Sequence, residues 1–472
     1  MEVSFEAFEF HQDEVFRKAS YRYVGSVDSG WKIFRNEELF ESLGPGYELV
    51  KTLYCGICST DIARAHLPFP LPQITGHEII GIYHDKPVAI EINASHRARG
   101  LQSSHCPYCQ NDMAIHCPER KTVGIDRLPG GFAPYLLAPK NSISPLPAEI
   151  APELLSIIEP FAAALHAVET MQIQNEMQIA VVGPKRLGLL LLLALNFYRQ
   201  QKNLIFTITA IIRHFELKEM CLLFGADNVK SVDENLSSKF DIVFDTSGSV
   251  SGFFLSADVS KNIVHLKSTN GQPVDGFNYM TQLVIDELSL FPIIKTKDAS
   301  LIKSLDNESN EAILLDTKIA TEMKLFIQKQ YPQKSLILCD LENITSKKMN
   351  SLLADLKFGK FDIVMLTSMG QLNRVVGFPD LGSLVRPQGD IFWMDGKVKS
   401  GVWDTFLEKG LVLKTSRCGK FSNAIKLIGE NVDQFNEIIP KYISGYYSLG
   451  QINKAFDLAR KDKTLVKLVM KH

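Results

Sequence analysis

The pentapeptide KFDIV stands at Lys239 to Val243 and again at Lys360 to Val364. Its surroundings repeat with it: IDELSLFPIIKTKDASLIKSL resembles FLEKGLVLKTSRCGKFSNAIKLI, and the copies are offset by about 120 residues. An internal repeat of that period settles the domain map ahead of finer reading. From about Gln172 apolar strands alternate with helical stretches, which argues βαβ units and a parallel sheet. A chain of 472 residues has room for two or three such domains.

The first copy opens with IAVVGPKRLGLLLLLAL, which reads as strand, tight turn and helix. In that arrangement backbone N–H groups at a helix N-terminus receive a pyrophosphate. Gly183 and Gly188 stand at the first and third glycines of the dinucleotide fingerprint. Lys185 occupies the second, where a side chain crowds the closest approach of backbone to phosphate, although Lys185 and Arg186 add charge to the site. The next strand, LIFTITAII, ends at Ile212-Arg213-His214 with no acid to hold ribose hydroxyls. Arg213 would pair with a 2′-phosphate, so NADP is favoured over NAD.

The second copy begins with AILLDTKIATEMKLFIQKQ as strand and helix, followed by the strand SLILCD. Its turn, Asp316-Thr317-Lys318-Ile319-Ala320, has no glycine and sets a carboxylate where a phosphate would sit. Asp340 is the ribose-binding type of acid without a phosphate loop to serve. This copy is expected to be a degenerate duplicate that holds no dinucleotide.

Net charge is −2, which leaves no basic field for nucleic acid. The opening MEVSFEAFEF carries acids where a secretory signal carries Lys or Arg, and the longest apolar run, around Leu187 to Leu195, is too short to span a bilayer. A cytoplasmic protein with no membrane and no nucleic-acid partner is expected. Five of the eight cysteines, Cys55, Cys58, Cys106, Cys109 and Cys117, fall in the first quarter among histidines. That clustering points to metal before disulfides. YCGICSTD is followed by ITGHEIIG, which carries His77 and Glu78. One cysteine, one histidine and a later carboxylate make a zinc site that keeps a position open for substrate.

The ordered set GICSTD, GHEIIG, CPYC with Cys117-Pro118, GIDRLPGGFAPYL and IEPFAAALHA resembles the zinc-containing medium-chain dehydrogenases of the alcohol, sorbitol and threonine dehydrogenase group. The resemblance implies Cys58 and His77 as zinc ligands, Glu159 as third ligand or as the carboxylate holding a zinc-bound water, and Glu78 as the alternating fourth. It implies Thr60 as the hydroxyl that accepts the substrate proton, and Asp61 as the carboxylate that orients a ligand histidine. Ala63 stands where some members relay the proton through a histidine, for which His66 is a candidate substitute. Cys106, Cys109 and Cys117 match three ligands of the family's structural zinc, but Ser103 replaces the first. Either His105 or His116 completes a Cys3His set, or the lobe has lost its metal. Ser247, Gly248, Ser268 and Thr269 fall near the expected nicotinamide pocket, and Arg417, in the closing TSRCG, is expected to approach the active cleft.

The implied fold class is α/β: a GroES-like β-rich catalytic domain plus two tandem Rossmann-like doubly wound parallel-sheet domains. Residues 1–168 and 421–472 form the two segments of the catalytic domain, residues 169–298 the nucleotide-binding domain and residues 299–420 its degenerate copy. Family members dimerise by pairing sheet edges, because an unpaired edge is a liability. Here ELSLFPI and GLVLKTS are expected to pair within one chain, giving a pseudo-dimeric monomer, with a homodimer as the alternative. The implied activity is hydride transfer between an alcohol or polyol, or the corresponding aldehyde or ketone, and NAD(P), with zinc stabilising the alkoxide. The rival reading is a pseudoenzyme acting in binding or assembly, to which the altered glycine loop and missing cysteine point. Retention of Cys58, His77 and Glu159 together opposes it.

Overall fold

The computed structural model describes residues 1–102, 105–236, 239–295, 297–307, 312–319, 321–394, 401–462 and 465–472. The chain forms two compact units, Met1–Ala163 with Cys418–His472, and Ala164–Arg417. Residues read in the sequence as two separate domains, 169–298 and 299–420, lie almost wholly within the second unit. Among the described residues no helix is long and apolar enough to cross a membrane.

The first unit is β-rich. Residues 2–43 make a four-stranded antiparallel meander in sequence order. A seven-stranded sheet comes next, centred on Tyr47–Gly56, which pairs with Glu78–Tyr83, Tyr135–Pro139 and the C-terminal strand Lys467–Lys471. One face of each sheet is apolar, and Tyr21, Tyr23, Val50, Phe132, Leu136 and Phe456 are buried in one continuous core. The register of the C-terminal strand, Gly56 to Val469 and Cys55 to Met470, sets Lys467 beside the segment that leads into Cys58.

The second unit is built on one eleven-stranded sheet. In chain order its strands are β1 (Gln178–Val182), β2 (Thr207–Ile212), β3 (Asn228–Ser231), β4 (Phe240–Asp245), β5 (Ser260–Leu266) and β6 (Ser289–Ile293). They continue as β7 (Ala312–Asp316), β8 (Ser335–Cys339), β9 (Phe361–Leu366), β10 (Val385–Met394) and β11 (Val412–Thr415). The spatial order is β3-β2-β1-β4-β5-β11-β6-β10-β9-β7-β8. Strands buried on both faces need near-continuous apolar runs, and Ile179 to Val182 and Ile313 to Leu315 are at most 2% exposed. The helix Arg186–Gln201 carries five consecutive leucines, Leu189 to Leu193, all fully buried. At ~1.5–3 kcal/mol for each side chain withdrawn from water, that helix is held by burial rather than by propensity.

The first half runs 3-2-1-4-5, a doubly wound order whose reversal between β1 and β4 is the switch point where such sheets take ligands. The two KFDIV segments open β4 and β9, which occupy corresponding places in the two halves. ELSLFPI and GLVLKTS meet as expected: β6 and β11 pair antiparallel, with Leu290 opposite Leu413. Their other neighbours come from across the repeat. β6 runs parallel to β10 of the second half, and β11 runs parallel to β5 of the first.

Candidate metal centres and nucleotide pocket

The segment Tyr47–Gly56 delivers Cys58 to the N-cap of a short helical turn, Ser59–Ile62, whose Asp61 is buried. The Asp61 carboxylate accepts hydrogen bonds from the backbone N–H of Cys58 at 2.9 Å and of Gly76 at 3.1 Å. It also faces His77 Nδ1 at 3.3 Å. One buried carboxylate therefore fixes the loop carrying the cysteine and the turn before the histidine, and lies beside Nδ1 of the ring, which leaves Nε2 of His77 free of that contact. The ligand atoms of Cys58, His77 and Glu78 lie within 4.8 Å of one another. Burial works against the His77 imidazolium, but the Asp61 and Cys58 charges outweigh it and raise its pKa well above the ordinary value.

Glu78 is held by Lys467, whose Nζ donates to Oε1 at 2.7 Å and to Oε2 at 2.6 Å, and to the Ile57 carbonyl at 3.2 Å. Gly56 is required for this approach, since a Cβ there would collide with the Glu78 carboxylate. Lys467 lies 389 residues from its partner, a pairing created by the sheet register and invisible to local sequence reading. Thr60 Oγ1 is 3.7 Å from Cys58 Sγ. Glu159 is half-buried in the first turn of the helix Ile158–Glu169 and is not in the group within 4.8 Å; Glu78 stands there instead. His66 is exposed and paired with Glu14.

A second donor set, His96, Cys106, Cys109 and Cys117, also has its ligand atoms within 4.8 Å of one another. His96 Nδ1 is 3.4 Å from Cys117 Sγ and 3.9 Å from Cys109 Sγ, and Cys106 Sγ is 3.8 Å from Cys117 Sγ. Neither histidine weighed in the sequence fills the fourth place: His105 is exposed, and His116 is buried but outside the group. Ser103 lies outside the described residues. A tight turn brings His96 back onto the cysteines, with Leu101 N–H bonded to the His96 carbonyl and Ala98 N–H to Ser95 Oγ. Its other ring nitrogen is 3.1 Å from Glu119 Oε2, the kind of contact that fixes a ligating histidine. Burial and the neighbouring thiols push Cys117 up to about 12. Three thiols and one imidazole at these separations are a donor set suited to tetrahedral zinc.

In the second unit the turn after β1 opens a cavity of about 500 Å³ lined by Gly183, Lys185, Ile212, Arg213, His214, Ser247 and Ser251 among others. Gly183 has φ 68°, and a Cβ on it would come within 2.7 Å of the Ser247 backbone. Gly188 packs its helix against Thr246, so the first and third glycines of the fingerprint do what those positions require. Arg213 points Nη2 toward Ser251 Oγ at 3.5 Å, on the rim of the same cavity. Asp245, at the end of β4, accepts from Ser247 N–H at 2.9 Å and Ser247 Oγ at 2.7 Å. Gly248, Ser268 and Thr269 line a small adjoining recess. Arg417 follows β11, and its N–H donates to Glu287 Oε1 at 2.8 Å.

At the corresponding turn of the second half, buried Asp316 accepts from Lys318 N–H at 2.8 Å and Leu341 N–H at 3.2 Å. These backbone donors are thus satisfied by the chain's own carboxylate. Asp340 bonds Glu342 N–H and the Asn343 amide within its own loop. Ala320 lies outside the described residues.

Residues 44–148 match the alcohol dehydrogenase GroES-like domain. An L-threonine 3-dehydrogenase of Mesorhizobium japonicum is 28% identical over 34% of this chain and 48% of that protein. An L-galactonate-5-dehydrogenase of Escherichia coli is 34% identical over 31% of this chain and 44% of its own length. The chain thus spans about half the length of these curated relatives. The crystal structure of galactitol-1-phosphate dehydrogenase from Escherichia coli superposes with a TM-score of 0.58 at 14% identity, covering 99% of this chain and all of that one. A GroES-like segment bearing a Cys-His-Glu cluster is thus joined in one chain to a Rossmann-type sheet with a glycine-turn pocket, and the chain shares the fold of that dehydrogenase structure.

Proposed function

We propose that this chain is a zinc-dependent oxidoreductase that transfers hydride between an alcohol or polyol, or the matching aldehyde or ketone, and a nicotinamide dinucleotide, with NADP preferred. The observation that carries the reading is the convergence of Cys58, His77 and Glu78 with Asp61 clamped behind the imidazole. A thiolate, an imidazole and a carboxylate suit zinc, and the donor set supports it. When bound, zinc supplies Lewis acidity toward the substrate oxygen and the dinucleotide supplies the hydride acceptor.

The chain's own residues do the rest. Asp61 holds His77 in the tautomer whose Nε2 can ligate. Lys467 fixes Glu78 through both carboxylate oxygens. Glu159 is assigned as a further carboxylate of the site, as ligand or as holder of a water. Thr60, beside Cys58, takes the substrate proton at Oγ1. In the second unit the turn Gly183–Gly188 offers backbone N–H groups to the pyrophosphate. Ser247, Gly248, Ser268 and Thr269 border the nicotinamide half. Arg213, on a rim whose described lining residues include no acid, pairs with a 2′-phosphate.

The test is metal analysis combined with nicotinamide absorbance over a panel of alcohols and aldehydes, with NAD and NADP compared. Two zinc equivalents, one for each donor set, and NADP-dependent turnover are expected. Absence of zinc together with no binding of either dinucleotide at millimolar concentration ends the reading. The paired β6 and β11 occupy the edge at which two subunits would otherwise join, so we assign a monomer over the homodimer, to be checked by a solution mass near 52.9 kDa, and we place it in the cytoplasm as the sequence suggests.

A further inference from the structure

The two halves of the large sheet exchange their last strands. β6 follows β5 in the chain, yet β11 lies against β5, with Ile263 to Leu266 paired to Val412 to Thr415. β6 is instead parallel to β10, with Ser289 to Ile293 paired to Asp390 to Met394. The two connections leading into the exchanged strands are built alike. After the helix Met280–Ile285, Glu287 N–H bonds the Val284 carbonyl and Leu288 N–H the Leu283 carbonyl. After the helix Val402–Lys409, Gly410 N–H bonds the Leu407 carbonyl and Leu411 N–H the Phe406 carbonyl.

Both turns need one left-handed residue. The second uses Gly410, φ 65°, and the first uses Glu287, φ 53°. Glycine adopts that conformation freely and glutamate does not. The Glu287 side chain accounts for its presence there. Its carboxylate is buried and accepts from Arg417 N–H at 2.8 Å and from the Gln388 amide at 2.9 Å, and lies 3.0 Å from His166 Nε2. Across the seam Lys267, also buried, donates from Nζ to the Ser416 carbonyl at 3.1 Å, Ser416 Oγ at 3.0 Å and the Arg417 carbonyl at 2.6 Å. Thr415 Oγ1 donates to the Leu283 and Leu288 carbonyls, each at 2.9 Å. The end of β11 is thus gripped from both sides by residues of the first half.

A dinucleotide at the switch point lies across the carboxyl ends of the strands, with its adenosine half toward β2 and Arg213 and its other half toward β4, β5 and whatever strand comes next. That strand is β11, from the second half. We propose that the second half is a built-in partner that completes the first half's nucleotide site: residues Thr415 to Arg417 wall its nicotinamide end, and Glu287 and Lys267 are the positioning residues that hold them. The inference rests on the proposed dinucleotide function. A second copy that binds no nucleotide of its own is in this arrangement indispensable to the first.

The test is binding by the full chain, by calorimetry, of the preferred dinucleotide and of its adenosine half alone, 2′,5′-ADP for NADP or AMP for NAD. Glu287→Gly removes the carboxylate while suiting the backbone, so the variant folds; Glu287→Gln and Lys267→Met are the companions, and Lys267→Arg is the conservative rescue. Glu287→Gly and Lys267→Met are expected to weaken the dinucleotide by about tenfold or more and the adenosine half by less than about twofold, with Lys267→Arg intermediate. Equal losses for both ligands, or no loss for either, overturn the inference while leaving the dinucleotide function standing. A wild-type chain that binds neither ligand overturns the function and the inference together.

Discussion

Lys467 Nζ lies 2.6 and 2.7 Å from the two oxygens of Glu78, and both side chains are at most 3% exposed. Burial opposes the Lys467 charge, but the Glu78 carboxylate more than offsets it, so the ammonium is held firmly protonated. Removing one member of such a pair strands the other charge in a dry interior, at a cost of ~3–5 kcal/mol. Lys467→Met is therefore expected to lower the unfolding free energy by about that much in chemical denaturation. The double variant Lys467→Met/Glu78→Gln should recover most of the loss. A Lys467→Met chain as stable as wild type would mean that Glu78 has another counter-charge.

Asp61 touches three parts of the candidate catalytic site at once, namely Cys58 N–H, Gly76 N–H and His77 Nδ1. Asp61→Asn is nearly isosteric but loses the charge and presents an N–H₂ to one of these donors. Loss of such a partner behind a ligating histidine lowers metal affinity or activity ~10–100-fold. Zinc retained after dialysis against a graded chelator series reads the effect directly, and unchanged retention would remove Asp61 from its assigned role.

His96 and the three cysteines form a donor set separate from the first. His96→Ala is expected to release one of two zinc equivalents and to lower thermal stability. His96→Cys rebuilds a four-thiolate set and should retain both. A His96→Ala chain that keeps two equivalents would show that another group, not His96, completes the set.

The legible and the illegible parts of this molecule divide by range. Gly183, Lys185 and Gly188 are close enough in sequence for their spacing to announce a strand, a turn and a helix, and the structure sets them on that turn. Cys58, His77 and Asp61 belong to short motifs in which each neighbour restricts the next. Lys467 is out of reach of such reading because its partner is fixed by a sheet register joining the chain's end to its beginning. Spacing alone also misses His96, since it favours the nearer His105 and His116, whereas a turn at residues 95–101 folds the more distant ring inward. The pairing of β6 with β11 follows from the repeat together with the edge pairing that the family resemblance implies, but their exchange does not, since both strands are short runs equally able to lie beside either half.

Arg213 sits on the cavity rim, with its Nη2 toward Ser251 Oγ and no acid at the end of β2. A charge-assisted pair between guanidinium and phosphate contributes ~1.5–3 kcal/mol. Arg213→Ala is accordingly expected to raise the KM for NADP about 10–100-fold and that for NAD by less than about threefold. Equal effects on the two dinucleotides would show that Arg213 does not read the 2′-phosphate.

Asp245 lies wholly buried at the end of β4, and burial pushes its carboxyl up from 3.8 to about 6, although the Ser247 N–H and hydroxyl partly oppose the shift. In the unfolded chain the carboxyl ionises near its ordinary value, whereas in the native state it keeps its proton about two pH units longer. The native form therefore binds more protons than the unfolded form between about pH 4 and about pH 6. Stability contributed by the neutral carboxyl is fully present below pH 4 and is lost as pH rises through 6, a decline of about 3 kcal/mol from this group alone. Asp245→Asn cannot ionise and keeps an oxygen for Ser247. Urea denaturation at pH 4.5 and 7.5 should show a smaller fall for Asp245→Asn than for wild type, and parallel pH profiles would place the titrating group elsewhere.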